Sequence, residues 1–248
     1  EYLAQPETEW GAPTFRDNPD LRDSPLSPTG VRQALKLRQL IVDQKIPVKL
    51  KDIDMVVVSP LSRTLQTFEL SLFPELRPVE NNIPIVALPL ARERLYMISD
   101  LGLTTTDLKV KFPWADFDSE FDEMQKSAWW YQHQGATEED AWAGYNEWRP
   151  HGQGQTYLVP GEPDDYFEER MIQLYEWLEQ REEKTIAVVC HWGVLQWLTG
   201  IDFDNCEVKA VEFHVLADMR QSAIEQQVAQ RDELELVAAE LDERTSSL

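Results

Sequence analysis

Arg63 is the first residue whose type and position could serve chemistry. It lies in the segment Ser59–Thr67, directly after the β-branched run Met55–Val58. If that run is a buried strand, the chain turns there into a helix whose first N–H groups favour an anion, and a guanidinium can hold phosphate oxygens in a bidentate manner. Taken alone, an arginine at the start of a helix is more often a surface residue.

His191 is the second such residue. It follows the apolar run Ile186–Cys190 and precedes Gly193 and a new helical segment. A buried strand would deliver this imidazole to its own carboxyl end, where open α/β sheets place their sites. There it could donate hydrogen bonds to a phosphoryl group or shuttle a proton near neutral pH. The competing interpretation is a structural histidine that caps a strand.

Glu93 is the third. It stands between Arg92 and Arg94, shortly after a further apolar run over residues 83–88. Two interpretations stay open at this point: an ordinary surface ion pair, or a proton donor held in a cationic pocket. The formal net charge is −22. A phosphate site must therefore be a local basic pocket, for which Arg63 and Arg92 are the candidates.

The elements that must position these side chains alternate along the chain. Short unalternating apolar runs predict strands buried on both faces, and the segments between them have helical spacing. This order predicts a three-layer α/β/α domain with a mostly parallel central sheet. The predicted strands are 55–58, 83–88, 186–190 and 208–215, and the predicted helices are 28–44, 62–72 and 166–181.

Composition excludes several classes of protein. The chain has 248 residues and is 42% hydrophobic, which is too apolar for a disordered chain. The charge disfavours non-specific nucleic-acid binding, and no apolar run is long enough to span a membrane. Two cysteines and four histidines predict neither a disulfide framework nor a metal site. The cytoplasm is the favoured compartment, and an N-terminus that begins with Glu1 rather than Met leaves an organelle open.

Two regions differ from the rest. Residues 112–163 contain five of the nine tryptophans and are interpreted as an insert, whose aromatic side chains are expected in core or lid packing more than in a cleft. Residues 217–248 form an acidic tail whose helix, over 217–243, docks on its own domain, on a partner or on a second copy. The predicted division is therefore a domain over 1–216 and a tail.

Taken together, the motifs resemble the histidine phosphatase superfamily, in its phosphoglycerate-mutase-like branch of plant and fungal type. Asp23–Ala34 is similar to the helix opening of that family and Ser59–Thr67 to its arginine signature. Arg92-Glu93 falls where the family keeps its acid, Val189–Gly193 resembles its late histidine segment, and Phe112–Phe117 resembles a further stretch. The resemblance covers about residues 20–215.

The resemblance implies roles for three residues. Arg63 would bind the phosphoryl group, Glu93 would protonate the leaving oxygen, and His191 would stabilise the phosphoryl group in flight. It also implies that no metal or other cofactor is needed, because a nucleophilic histidine takes the phosphoryl group before water removes it. The implied substrates are small phosphorylated metabolites.

The nucleophile itself is missing from the motifs. The family takes it from an Arg-His pair at the end of a first strand, and this sequence contains no such pair. His133, His151 and His214 lack the preceding arginine and buried strand. Two explanations follow: the strand and its Arg-His lie upstream of Glu1, or the chain is a non-catalytic phosphatase-like subunit. The first predicts a phosphatase and the second a binding module.

Overall fold

The computed structural model describes residues 21–96, 98–122, 125–126, 129–130, 162–222 and 225. The predictions for the first twenty residues, for residues 131–161 of the insert, with His133 and His151, and for most of the tail lie outside these ranges. The division into a domain over 1–216 and a tail therefore stays a prediction.

Helices surround a small sheet. The predicted helices are present, with ends that differ by a few residues from those expected. Their bounds are α1 Pro28–Val42, α2 Ser62–Leu70, α3 Phe73–Leu76, α4 Pro78–Asn81, α5 Thr105–Lys111, α6 Asp164–Glu179 and α7 Trp192–Thr199. Residues 216–222, at the start of the tail, are also α-helical.

The sheet is parallel, as predicted. Its strands in the described part of the chain are β1 Met55–Val58, β2 Ile85–Ala87 and β3 Ile186–Val189, in the order β2-β1-β3. β1 lies in the centre, where Val58 is level with Ala87 of β2 and with Val189 of β3. The three strands therefore end together at one edge.

Helices cover both faces of this sheet, which confirms the three-layer arrangement. Val56 and Val58 of β1 pack into one apolar core with α1 and α2. The alternate residues Met55 and Val57 pack into a second core with α6 and α7. Because successive strand side chains point to opposite faces, a strand without polar residues has to be covered on both sides.

Local hydrogen bonds fix the starts of two helices. The Ser27 hydroxyl accepts from Gly30 N at 3.1 Å, and Pro28 occupies the first turn of α1. The buried Asp23 carboxylate accepts from both Ser62 N, at 2.8 Å, and the Ser62 hydroxyl. It thus satisfies a free N–H at the start of α2 from a distant part of the chain.

The prediction of a last strand over 208–215 is wrong. Residues 208–212 are an irregular, mostly exposed segment, and Phe213–Val215 form a single 3-10 turn. A strand needs the edge of a neighbour for its backbone bonds. Here the Phe213 ring packs instead on Tyr175 of α6, with ring centroids 4.9 Å apart, so the chain runs over a helix and not along the sheet.

The aromatic residues of the insert that are described lie in packing positions, as expected. Trp129 is buried and its Nε1 donates to Leu103 O at 2.9 Å. The Trp114 ring packs against Phe68, Phe73 and Phe112.

Candidate active site

Three of the four predicted site residues lie at the carboxyl edge of the sheet. Ser59 N donates to Val189 O and Leu88 N donates to Val58 O, each at 2.9 Å, so the loops that follow β1, β2 and β3 leave the sheet side by side. Arg63 lies in the first turn after β1. Glu93 lies after β2, and His191 begins α7 directly after β3.

Glu93 and His191 face each other across a short gap. His191 Nδ1 lies 4.0 Å from Glu93 Oε2, and both side chains are largely shielded from solvent. This separation is too long for a direct hydrogen bond, which needs about 2.8 Å between the heavy atoms. It does allow one oxygen atom of a ligand to lie within hydrogen-bond distance of both atoms.

The protonation states of this pair suit that arrangement. Burial, and secondly the negative charge of Asp100, raise the pKa of Glu93 to about 7. Burial, and then the positive charges of Arg63 and Arg170, lower the pKa of His191 well below its usual range. At neutral pH the carboxyl is therefore substantially protonated and the imidazole is neutral, with a single N–H to donate.

Two hydroxyl groups hold the other nitrogen of the ring. His191 Nε2 lies 2.7 Å from Ser59 Oγ and 3.1 Å from Thr64 Oγ1. Ser59 and Thr64 are buried and flank Arg63 on the segment from the end of β1 into α2. Both belong to the Ser59–Thr67 motif, although no pattern in it assigns them a role.

Arg63 has a protein partner of its own. Its Nη2 donates to Asp100 Oδ1 and its Nη1 to Ser99 O, both at 2.9 Å. The Asp100 carboxylate is almost fully buried, whereas about a quarter of the Arg63 side chain is exposed. The Asp100 carboxylate and the Ser99 carbonyl thus each accept from one of the two terminal nitrogens that were predicted to hold phosphate.

Arg92 lies in a buried ion network. Its Nη2 donates to Glu162 Oε1 at 2.6 Å, and Arg170 donates to both oxygens of the same carboxylate. Burial, and secondly the charge of Arg170, lower the pKa of Arg92 to about 9. Burial acts to raise the pKa of Glu162, but the ion pairs with Arg92 and Arg170 outweigh it and leave this pKa below its usual value. In the described part of the chain, Arg92 Nε has no hydrogen-bond partner. Phosphate binding by Arg92 stays a prediction.

Arg170 also fixes the loop that carries the acid. Its Nη1 donates to Leu90 O at 2.7 Å and to Arg92 O at 2.9 Å. Arg92 is the residue before Glu93, so this contact restrains the backbone from which the Glu93 side chain extends. Sequence reasoning missed Arg170, Glu162 and Asp100, because they belong to no motif and contact the loop after β2, Arg92 and Arg63 from 80, 70 and 37 positions away.

A cavity of about 280 Å³ lies beside this network and not at the Glu93–His191 gap. Arg92, Glu162 and Arg170 form its polar wall, and Trp129 and Trp130 contribute to its apolar wall. Arg63, Glu93 and His191 do not line it. Of the predicted site residues, the structure therefore places Glu93 and His191 opposite each other and places Arg92 in the wall of this separate cavity.

The neighbours of His191 in the chain have ordinary structural roles. Burial raises the pKa of the Cys190 thiol to about 12, so the side chain is a neutral small group at pH 7. Trp192 points outward, with 56% of its surface exposed, and its Nε1 donates to Asp202. Neither side chain therefore contributes a reactive group beside His191.

The described ranges contain no group of three or more His, Cys, Asp or Glu side chains placed to hold a metal ion. None of the helices described is both long and apolar enough to cross a membrane.

Comparison with known proteins gave one match to a protein family. The model of the histidine phosphatase superfamily, branch 1, matches residues 7–116. This match confirms the resemblance over the part of the chain that contains Arg63 and Glu93, and it supports phosphatase activity in general. His191 lies beyond the matched residues.

Solved structures give a more distant similarity. A mycobacterial glucosyl-3-phosphoglycerate phosphatase is 14% identical, and the aligned region covers 78% of this chain and 76% of that one, with a TM-score of 0.32. A comparison with curated proteins gave no match.

Proposed function

We propose that this chain forms the phosphate-binding and acid half of a metal-independent phosphatase for small phosphorylated metabolites, with the nucleophilic histidine supplied by residues upstream of Glu1. The proposal is supported chiefly by the 4.0 Å gap between His191 Nδ1 and Glu93 Oε2. Two hydrogen-bond donors converge there without bonding to each other.

The protonation of Glu93 carries the argument further. A general acid works best when its pKa lies near the operating pH. A carboxyl with a pKa of about 7 keeps its proton long enough at neutral pH to pass it to a leaving oxygen. An ordinary surface glutamate would be ionised and could not do so.

In the proposed reaction, the nucleophilic imidazole nitrogen forms an N–P bond as the P–O ester bond breaks. Glu93 gives its proton to the departing alkoxide oxygen, and His191 donates a hydrogen bond to a non-bridging oxygen. Water then attacks phosphorus, the N–P bond breaks, and the Glu93 carboxylate takes the proton of that water. Such a transfer depends mainly on alignment and charge stabilisation, which these groups and Arg63 can supply.

The test uses the full-length protein with p-nitrophenyl phosphate in the presence of EDTA. We expect turnover at neutral and mildly acidic pH and a fall above about pH 7 as Glu93 loses its proton. A labelled, acid-labile and base-stable phosphoryl adduct should form before turnover. Arg63→Ala should abolish turnover, and Arg38→Ala, which removes a surface arginine, should not. An unchanged rate in Arg63→Ala would remove that residue from the site.

One observation favours a second candidate, a phosphatase-like binding module without catalysis. Asp100 and Ser99 O already occupy the terminal nitrogens of Arg63 in the described structure. A pocket that is filled by its own carboxylate could be maintained for structural reasons. Folded full-length protein with neither turnover nor adduct would support this candidate. It predicts that the insert and the tail helix contact a protein partner, and deletion of residues 217–248 should then release it.

A further inference from the structure

We propose that Ser59 is a positioning residue that sets the tautomer of His191, so that Nδ1 carries the proton and faces Glu93. Ser59 follows β1 and His191 follows β3, and the pairing of these strands brings the two side chains together. Ser59 Oγ lies 2.7 Å from His191 Nε2, and Ser59 is completely buried. The existence of this tautomer does not depend on the proposed function, whereas its role in phosphoryl transfer does.

Hydrogen-bond accounting determines which atom donates. Leu61 N donates to Ser59 Oγ at 3.4 Å, so the hydroxyl oxygen already accepts one bond. If Nε2 also donated to this oxygen, the Ser59 hydrogen would need another acceptor, and Nε2 is the acceptor that this residue contacts within the described structure. Leaving a buried hydroxyl hydrogen unpaired costs about 1–3 kcal/mol. The Ser59 O–H therefore donates to Nε2.

The position of Nδ1 agrees with this assignment. A neutral imidazole has one N–H, so an accepting Nε2 requires the proton to be on Nδ1. Nδ1 is the atom that lies 4.0 Å from Glu93 Oε2, so a ligand oxygen to one side of the pair could be within hydrogen-bond distance of both. The hydroxyl of Thr64, 3.1 Å from Nε2, packs on the same nitrogen and is the weaker partner of the two.

The consequence is a ring that presents a donor, and not a lone pair, to the pocket. The opposite tautomer would place an unprotonated nitrogen beside Glu93, where its lone pair would repel a phosphate oxygen instead of donating to it. Ser59 would thus keep the donor of His191 directed at the ligand, although it contacts neither substrate nor the reacting atoms in the proposed reaction.

The test is the ¹⁵N spectrum of the imidazole nitrogens in the 248-residue chain, with the His191 signals assigned by their loss in His191→Gln. We expect Nδ1 to show the shift of a protonated nitrogen and Nε2 that of an unprotonated one. In Ser59→Ala the Nε2–H form should become populated, because the closer hydroxyl donor to Nε2 is gone and Thr64 Oγ1, 3.1 Å away, can then accept from Nε2–H. Thr64→Val should leave the tautomer unchanged.

Ser71→Ala is the matched control. Ser71 is also a fully buried serine, at the end of α2, and its hydroxyl donates to Thr67 O. Its removal deletes one buried hydroxyl without a contact to His191, so the tautomer should not change. Chemical denaturation of each variant shows whether the fold is intact.

A wild-type spectrum with the proton on Nε2 overturns the proposal, whether or not any variant folds. An unchanged tautomer in folded Ser59→Ala also overturns it. Activity is a separate reading: in the full-length protein, Ser59→Ala should lower kcat by about 10- to 100-fold, as for other residues that orient a functional histidine, with little change in KM. The predicted spectrum without any phosphatase turnover would instead count against the proposed function.

Discussion

Glu93 and Gly193 approach so closely that position 193 has no room for a side chain. A β-carbon at residue 193 would lie 2.9 Å from Glu93 Oε1, which is shorter than real contacts of this kind. Gly193 is in the first turn of α7, two residues after His191, and its lack of a side chain allows the Glu93 carboxyl to lie over the start of the helix. We infer that the distance between the Glu93 carboxyl and the His191 imidazole depends on this contact.

Gly193→Ala should therefore displace the Glu93 carboxyl. We expect a loss of about 1–3 kcal/mol in the free energy of unfolding, as for other overpacked sites. Urea denaturation of both single variants and of Gly193→Ala with Glu93→Ala measures the coupling. The double variant should recover most of the loss, because the atom that clashes is then absent. Fully additive effects would show that the two residues are not in contact.

Glu93→Gln should change the dependence of stability on pH. The fold raises the pKa of Glu93 from 4.5 to about 7, so the folded state retains a proton that the unfolded state has lost. This contribution is complete below about pH 4.5 and is lost as the pH rises to about 7. Glutamine is neutral throughout, so relative to wild type the variant should gain about 3 kcal/mol between pH 4.5 and pH 8.

Urea denaturation at both pH values checks this prediction, with Glu169→Gln as control. Glu169 is exposed on α6, so Glu169→Gln makes the same chemical change away from the Glu93–His191 gap. A Glu93→Gln difference that also stays constant would show that Glu93 titrates like a surface carboxylate.

Asp100→Asn should act on two groups at once. Loss of the negative charge removes one of the causes that raise the pKa of Glu93, so this pKa should fall. It also removes the carboxylate from Arg63 Nη2, so the affinity for inorganic phosphate should rise. A ¹³C titration of the Glu93 carboxyl and calorimetric titration with phosphate measure the two effects. A higher Glu93 pKa or weaker phosphate binding would contradict this account of Asp100.

Arg170→Met should destabilise the fold strongly. The substitution leaves Glu162 with one of its two buried guanidinium partners and frees the Leu90 and Arg92 carbonyls. Breaking a buried ion network by removing one partner costs about 3–5 kcal/mol. Arg38→Met, which removes a partly exposed pair with Glu75, should cost about 1 kcal/mol or less. Equal losses in urea denaturation would contradict the difference in environment.

The sequence was sufficient to predict the strands that carry the site. Met55–Val58 and Ile186–Val189 are unbroken apolar runs, and such runs indicate a parallel sheet covered on both faces. The rule that sites lie at the carboxyl ends of such strands then identified Arg63 and His191. The positions of the strands were predicted correctly because each depends on a pattern within about ten residues, although β3, at the edge of the described sheet, is half-buried and not buried on both faces as expected. The roles of Arg63 and His191 stay predictions.

The parts that could not be predicted depend on contacts between distant segments. Arg92 and Glu162 are 70 positions apart, and Arg63 and Asp100 are 37 apart, with no spacing rule that links them. The wrong strand at 208–215 has a related cause. Its residues favour β structure, but a strand forms only where a neighbouring edge is available, and sequence patterns do not show that edge.

The central claim is that Arg63, Glu93 and His191 bind one phosphate group together. Titration of the chain with inorganic phosphate, followed through the assigned ¹H–¹⁵N signal of His191 Nδ1–H, tests it most directly. We expect a saturable shift of this signal as a phosphate oxygen binds beside Glu93, and loss of the shift in Arg63→Ala. A His191 signal that does not move with phosphate, or that moves equally in Arg63→Ala, would show that the three residues do not bind phosphate together.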